Sequence, residues 1–282
     1  MIFFWITLLV ILSHGTCWSQ KNKEAITSYT DSFKSDVKHG KVLETLRAPQ
    51  MPYKDKVFKN CKELKTLHPN SRSGVYWIKP VSSKINQSFQ AYCDQETSGG
   101  GWTLVWTYTF TDYNNFDSAS NAITPLPKWN RKFPPPGRVC QPESETTPLN
   151  EEQTGAMLFS LWSNIGEEFL IKSNIMNWIS CKPAWGSLVK YKHGPIKCRV
   201  VRNVIGKCGD IVPIMLVNRR PACGPKLVGA RQAGRPPFHG CHKAYIDFNG
   251  DTQGWPVHDS CGNCKQTQLK GVAKPHGNVF IR

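Results

Sequence analysis

Cys61–Trp102, CKELKTLHPNSRSGVYWIKPVSSKINQSFQAYCDQETSGGGW, is the stretch that decides how the rest of the chain is read. An apolar run follows Gly74, and a second ends in Tyr92-Cys93-Asp94. A short helix fits Cys61 to Leu67 ahead of them. Gly99-Gly100-Gly101 then punctuates the sequence before Trp102, and glycines between β-type runs mark tight turns with positive φ. The cysteines at 61 and 93 are material for a covalent staple where a small sheet has little core of its own.

Cys61-Lys62-Glu63-Leu64, Ser73-Gly74-Val75-Tyr76-Trp77-Ile78-Lys79-Pro80 and Tyr92-Cys93-Asp94 with Gly99-Gly100-Gly101-Trp102-Thr103 resemble the opening of a fibrinogen C-terminal domain. Near the other end, Gly254-Trp255 precedes Cys261. Cys264-Lys265-Gln266-Thr267-Gln268-Leu269-Lys270-Gly271 is similar to that family's closing C-x-x-S/T-N-L-N-G segment. Between the two, the F-W-L-G-N-type landmarks of the family are absent. The resemblance implies a secreted binding protein without catalysis. It implies an α+β fold, disulfide-stapled, with a twisted antiparallel sheet, short helices and long loops, and it implies that Cys61 pairs with Cys93. It also points to an extracellular matrix role, since reduced fibrinogen-like proteins occur in invertebrate skeletal, biomineralised matrices.

Outward from this stretch, residues 1–19 read as a signal peptide. The apolar run Ile2 to Leu12 is too short to span a bilayer, and small residues at Cys17 and Ser19 suit cleavage before Gln20. Residues 20–55 form a polar leader, with Ile26, Tyr29, Phe33 and Val37 near helical spacing but no sustained heptads. Residues 56–282 make up the fibrinogen C-terminal-like domain. Its parts are the matching subdomain 56–110, a Pro-rich loop 123–155 and a divergent basic region 182–235. Met157 to Ile179 is apolar again and returns to the sheet. Without Cys17, ten cysteines remain: Cys61, Cys93, Cys140, Cys181, Cys198, Cys208, Cys223, Cys241, Cys261 and Cys264. An even, dense set in an exported chain reads as a disulfide framework whose connectivity the sequence leaves open. Asn86-Gln87-Ser88 is an acceptor for N-glycosylation at Asn86.

The net charge of +16 is uneven. Lys182, Lys190, Lys192, Lys197, Arg199, Arg202, Lys207, Arg219, Arg220, Lys226, Arg231 and Arg235 share their stretch with a single acid, Asp210. Clustered positive charge collects polyanions. The expected site is Lys190, Lys192, Lys197, Arg199, Arg202, Arg219, Arg220, Lys226, Arg231 and Arg235. Outside a cell its partners are acidic matrix proteins and sulfated or other anionic polysaccharides, whereas export makes nucleic acid a poor partner. A solvated basic face with no dedicated partner explains the same charges.

Asp247, Asn249 and Asp251 alternate as calcium-loop ligands do, although Thr252 stands where an EF-hand needs Gly. A polar β-turn explains the same residues. No cofactor is expected beyond calcium at this loop, zinc at Cys261 and Cys264 with His239, Cys241, His242 and His258 being outweighed by structural bridges. A calcium-dependent defence lectin for microbial glycans is the alternative function. In acetyl-group lectins of the family a His follows the final cysteine; here Lys265 stands there, which argues against that pocket. Trp102 and Trp255 suit either sugar stacking or core packing. Cys261-Gly262-Asn263-Cys264 has a redox spacing, but an oxidising compartment favours structural bridges. Glu167-Glu168 reads as a solvated strand edge. None of H-E-x-x-H, G-x-S-x-G, Walker-A or G-x-G-x-x-G occurs, so no enzyme is expected.

Overall fold

A computed structural model describes residues 56–81, 87–115, 118, 121–129, 140–218, 223–229, 244–248, 258–263 and 265–282. The chain divides into two compact units, Met1–Pro52 and Tyr53–Arg282, and every described element belongs to the second. The signal peptide, the whole of the leader, Asn86, Trp255, Arg219, Arg220, Arg231, Arg235, Asn249, Asp251, Cys241 and Cys264 lie outside the described residues. Among those described, no helix is long and apolar enough to cross a membrane.

Strands dominate. β1 (Val57–Phe58) leads into α1 (Cys61–Leu67), then β2 (Gly74–Ile78), β3 (Phe89–Asp94) and β4 (Trp102–Phe110). Asn60 caps α1 by accepting from the Glu63 N–H at 2.9 Å, while the Glu63 carboxylate accepts from the Lys59 N–H at 2.6 Å. The first bond satisfies an amide the helix leaves open, and the second ties the residue before the cap to the first turn. Short strands β5 (Ile123–Thr124), β6 (Leu126–Pro127), β7 (Glu143–Ser144) and β8 (Gly155–Ala156) follow, then the short helix α2 (Trp162–Ile165). β9 (Phe169–Ser173), β10 (Trp178–Pro183), β11 (Gly194–Arg202), β12 (Met215–Val217), β13 (Lys226–Val228), β14 (Ile246–Asp247) and β15 (His276–Ile281) complete the order. Among the described residues, two short α-helices beside this much sheet make the fold α+β with a small helical share.

Among the described residues the main sheet runs β1-β2-β3-β4-β15-β9-β10-β11-β12-β13-β14, with β5 and β8 attached to β4. Its pairings are antiparallel except β1 with β2. The last strand, β15, lies between β4 and β9, so the end of the chain closes the middle of the sheet. The Pro-rich segment is not all loop. Pro127 pairs with Ser144 in a two-strand parallel patch, a place where the missing proline N–H breaks no ladder.

One face of the sheet carries the main core, around Trp106, Tyr108, Phe110, Ile171, Ile179 and Val279. Trp106 packs at 4.7 Å from Tyr108 and 5.1 Å from Phe248, with Trp129 edge-on at 5.6 Å. The other face holds a smaller buried cluster of Trp102, Leu104, Leu170 and Phe280. Trp102 is therefore a core residue, as the packing alternative required.

Bridges join Cys61 to Cys93, Cys140 to Cys223, Cys181 to Cys198 and Cys208 to Cys261. Cys261 thus reaches back to Cys208 rather than along its own C-x-x-C.

Candidate functional site

The smaller face is built from the turn that opened the sequence reading. Gly99, Gly100 and Gly101 all have positive φ, at 88°, 71° and 77°. At Gly100 a Cβ would sit 2.2 Å from the Gln95 carbonyl oxygen, so only glycine closes this turn. Asp94 organises its start: one carboxylate oxygen accepts from the N–H groups of Glu96 at 3.0 Å and Thr97 at 2.8 Å. Buried Gln95 ties the turn to α1, donating to the Cys61 carbonyl at 3.2 Å and accepting from the Gly101 N–H at 3.0 Å. The turn consequently lies over the face and presents Ser98 to two arginines. Arg282 donates to the carbonyls of Ser98 at 3.2 Å and Gly100 at 3.1 Å, and Arg199 donates to the Ser98 hydroxyl.

Two cations on this face are structural. Lys172 stands in the apolar run FLIKS of β9 with its side chain 9% exposed. Its Nζ lies 3.1 Å from the Asp94 carboxylate and 2.5 Å from that of Glu151, and above the rings of Trp178 at 4.8 Å and Phe280 at 5.2 Å. A buried charge needs such company. Burial pushes Asp94 up, but hydrogen bonds from Thr97, the charge of Lys172 and the Glu96 N–H outweigh it. Its carboxyl ends below the ordinary range. Arg282 lies over Trp102 at 4.1 Å and donates to Glu168 at 2.8 Å. Burial raises Glu168 too, and the hydrogen bond and charge of Arg282, with Lys182 and Lys62, bring it below the ordinary range. Glu168 is therefore a partly buried counter-ion, and only Glu167, paired with Lys190 at 2.5 Å, matches the solvated edge expected of both.

The other cations stand on the β10–β11 ribbon. Lys182 is directly opposite Lys197, Ser180 opposite Arg199, and Trp178 opposite Arg202. Alternation turns Ile179 and Cys181 to the core and Ser180 and Lys182 to the smaller face. An irregularity in register between Trp178 and Ile179 leaves Val201 without a partner in the ladder. This extra residue shifts the alternation by one, which brings Arg202 onto the smaller face with its guanidinium 4.8 Å from the Trp178 ring. Lys182, Lys197, Arg199 and Arg202 are all exposed. Lys182 has only a long contact to Glu168, 3.8 Å. Among the described residues Lys197, Arg199 and Arg202 have no carboxylate within ion-pair distance.

The expected polyanion residues therefore separate. Lys197, Arg199 and Arg202 come together on one ribbon, joined by Lys182, which the expected site left out. Lys190 and Lys192 belong to the connection beyond the ribbon's end, Lys192 lying 5.6 Å from the ring of exposed Trp185. Lys226 is occupied elsewhere, its Nζ 2.7 Å from buried Asp247. Asp247 is the one described member of the expected calcium set. Among the described residues no group of three or more His, Cys, Asp or Glu is placed to hold a metal.

Beside Arg202 a cavity of about 270 Å3 opens, walled by Glu151, Lys172, Trp178, Val204, His276 and Asn278. Asn278, with its amide assigned so that nitrogen faces the Thr107 hydroxyl and the Glu151 carbonyl, both at 3.0 Å, pins the 150–153 turn over the sheet. Sequence reading missed this cavity. One signal was present: a lysine inside an apolar strand implies buried acids nearby.

The chain matches the family model described as the fibrillar collagen C-terminal domain over residues 29–111. It is 46% identical over 54 residues to the fibrinogen alpha chain of Homo sapiens, a span of 18% of this chain and 6% of that one. Angiopoietin-4 of Mus musculus is 43% identical over 49 residues, 17% of this chain and 9% of the relative. The chain thus spans under a tenth of these relatives' length. Among solved structures, the fibrinogen-like globe domain of human ANGPTL2 is 12% identical, covers 80% of this chain and 98% of that one, and has a TM-score of 0.35. That of ANGPTL6 is 9% identical over 80% and 95%, with a TM-score of 0.32. Likenesses this distant carry no argument. The likeness to fibrinogen and angiopoietin is confined to these local identities, and the bridge between Cys61 and Cys93 is the pairing that the resemblance implied. The collagen likeness was not foreseen from the sequence.

Proposed function

We propose that this protein is exported and acts outside the cell as a non-catalytic binding protein for acidic macromolecules. Its contact surface is the ribbon bearing Lys182, Lys197, Arg199 and Arg202. One observation carries the reading: Lys182 and Lys197 are direct cross-strand neighbours. Like charges so placed destabilise a sheet, and a polyanion laid along the ribbon relieves the repulsion. Four disulfides among the described cysteines support an oxidising, extracellular setting. Acidic matrix proteins and sulfated polysaccharides are the partners of matching chemistry, in a mineralised matrix among other settings. Binding to immobilised heparin tests this. The full chain elutes above about 0.15 M salt, where surface charges are already screened beyond about 8 Å, and a calcium chelator leaves elution unchanged. Elution below that salt contradicts the reading, and retention that requires calcium turns it toward the lectin alternative.

A further inference from the structure

The cavity beside Arg202 differs from the ribbon it adjoins. A ribbon of exposed cations suits a polymer, whereas a cavity of about 270 Å3 lies below the roughly 300–1,000 Å3 of sites for drug-sized ligands and suits one sugar ring. Its polar groups are of both kinds. Lys172 is already balanced by Asp94 and Glu151, so it adds little net charge. Arg202 is the cation with no carboxylate among the described residues, and its stacking on Trp178 holds the guanidinium in place. That planar fork matches a carboxylate through two parallel hydrogen bonds.

Glu151 beside it is an acceptor for hydroxyl groups and repels a multiply charged anion such as phosphate. His276 donates from Nδ1 to the Lys274 carbonyl at 3.0 Å, which leaves Nε2 as its nitrogen for a ligand hydroxyl. One carboxylate-directed fork among hydroxyl acceptors describes a singly charged, hydroxyl-rich ligand.

We propose that the cavity lined by Glu151, Trp178, Arg202, His276 and Asn278 is a subsite for a single hexuronate residue, its carboxylate on Arg202 and its hydroxyls on Glu151 and His276. The inference deepens the reading above, and rests on it only for the source of the sugar in uronate-bearing acidic polysaccharides.

The test is titration of the full chain with free glucuronate, with glucose and inorganic sulfate as comparison ligands, by calorimetry or saturation-transfer NMR. Glucuronate binds saturably, glucose does not, and sulfate competes weakly. Arg202→Lys keeps the charge but loses the fork, so glucuronate affinity falls about tenfold. Val204→Phe narrows the cavity without changing charge and weakens glucuronate likewise. Glucuronate binding no better than glucose, an Arg202→Lys variant that binds as wild type, or sulfate competing as well as glucuronate overturns the subsite. Each of those results leaves heparin retention, and with it the ribbon, standing, whereas loss of heparin retention with glucuronate binding intact removes the ribbon alone.

Discussion

Two sets of cations share the smaller face of the sheet and do opposite things there. Lys172 and Arg282 are enclosed by carboxylates and aromatic rings, and they hold the face together. Lys182, Lys197, Arg199 and Arg202 stand in the open, and two of them face each other. The net charge of +16 counts both sets alike. What separates them is how closely an acid holds them: a cation with a close, buried partner is part of the fold, and one without a partner, or with only the 3.8 Å contact of exposed Lys182, is available to a ligand.

Lys172→Met gives the largest effect expected from this contrast. It leaves Asp94 and Glu151 facing an uncompensated site and lowers unfolding free energy by about 3–5 kcal/mol, measured by urea denaturation. A loss under about 1 kcal/mol places Lys172 with the surface cations instead. Replacing Cys61 and Cys93 together by Ser opens a closure 32 residues apart and lowers stability by about 3–4 kcal/mol by the chain-entropy model, read by the same method. The effect is confined to stability; heparin retention of the folded fraction is unchanged.

Acid offers a third way to sharpen the comparison. Asp94 and Glu168 are held below the ordinary carboxyl range in the folded protein, so the unfolded chain takes up protons first as pH falls. Their contribution is complete above the unfolded values, about 3.9 and 4.3, and is lost as pH falls through the lower folded values. The melting temperature should hold from about pH 7 to 5 and drop below about pH 4, less steeply in Glu168→Gln. An equally steep drop in that variant removes Glu168 from the account. The smallest effect is on the ribbon. Lys182→Ala relieves a like-charge pair, so stability stays level or rises by about 0.2–1 kcal/mol, while heparin elution moves to lower salt.

Much of the first part of the fold was legible because local rules governed it. A helix fits Cys61–Leu67, apolar runs after Gly74 and before Asp94 mark β2 and β3, and three glycines mark the turn into β4. The cation site was only half legible. β11 alternates Ile196, Cys198 and Val200 inward with Lys197 and Arg199 outward, a pattern visible in the sequence. Arg202 breaks that parity, and only the unpaired Val201 explains how it reaches the same face. Lys182 was absent from the expected site because its place depends on register with a strand fifteen residues on. Lys226 looked like its neighbours in the charge run, and its partner Asp247 arrives through β13 pairing with β14. The Lys172 pair with Asp94 spans 78 residues, a separation at which no periodicity signals contact.

The most direct measurement sets two charge-matched variants against each other on immobilised heparin. One carries Lys182→Ala, Lys197→Ala and Arg199→Ala; the other carries Lys65→Ala, Lys79→Ala and Lys270→Ala, and both lose three positive charges. The ribbon variant should elute at markedly lower salt, with a shallower dependence of affinity on salt by about three ionic contacts, while the control stays close to wild type. Equal shifts in the two would mean that the protein binds acidic polymers through its overall charge, and that the ribbon is no site.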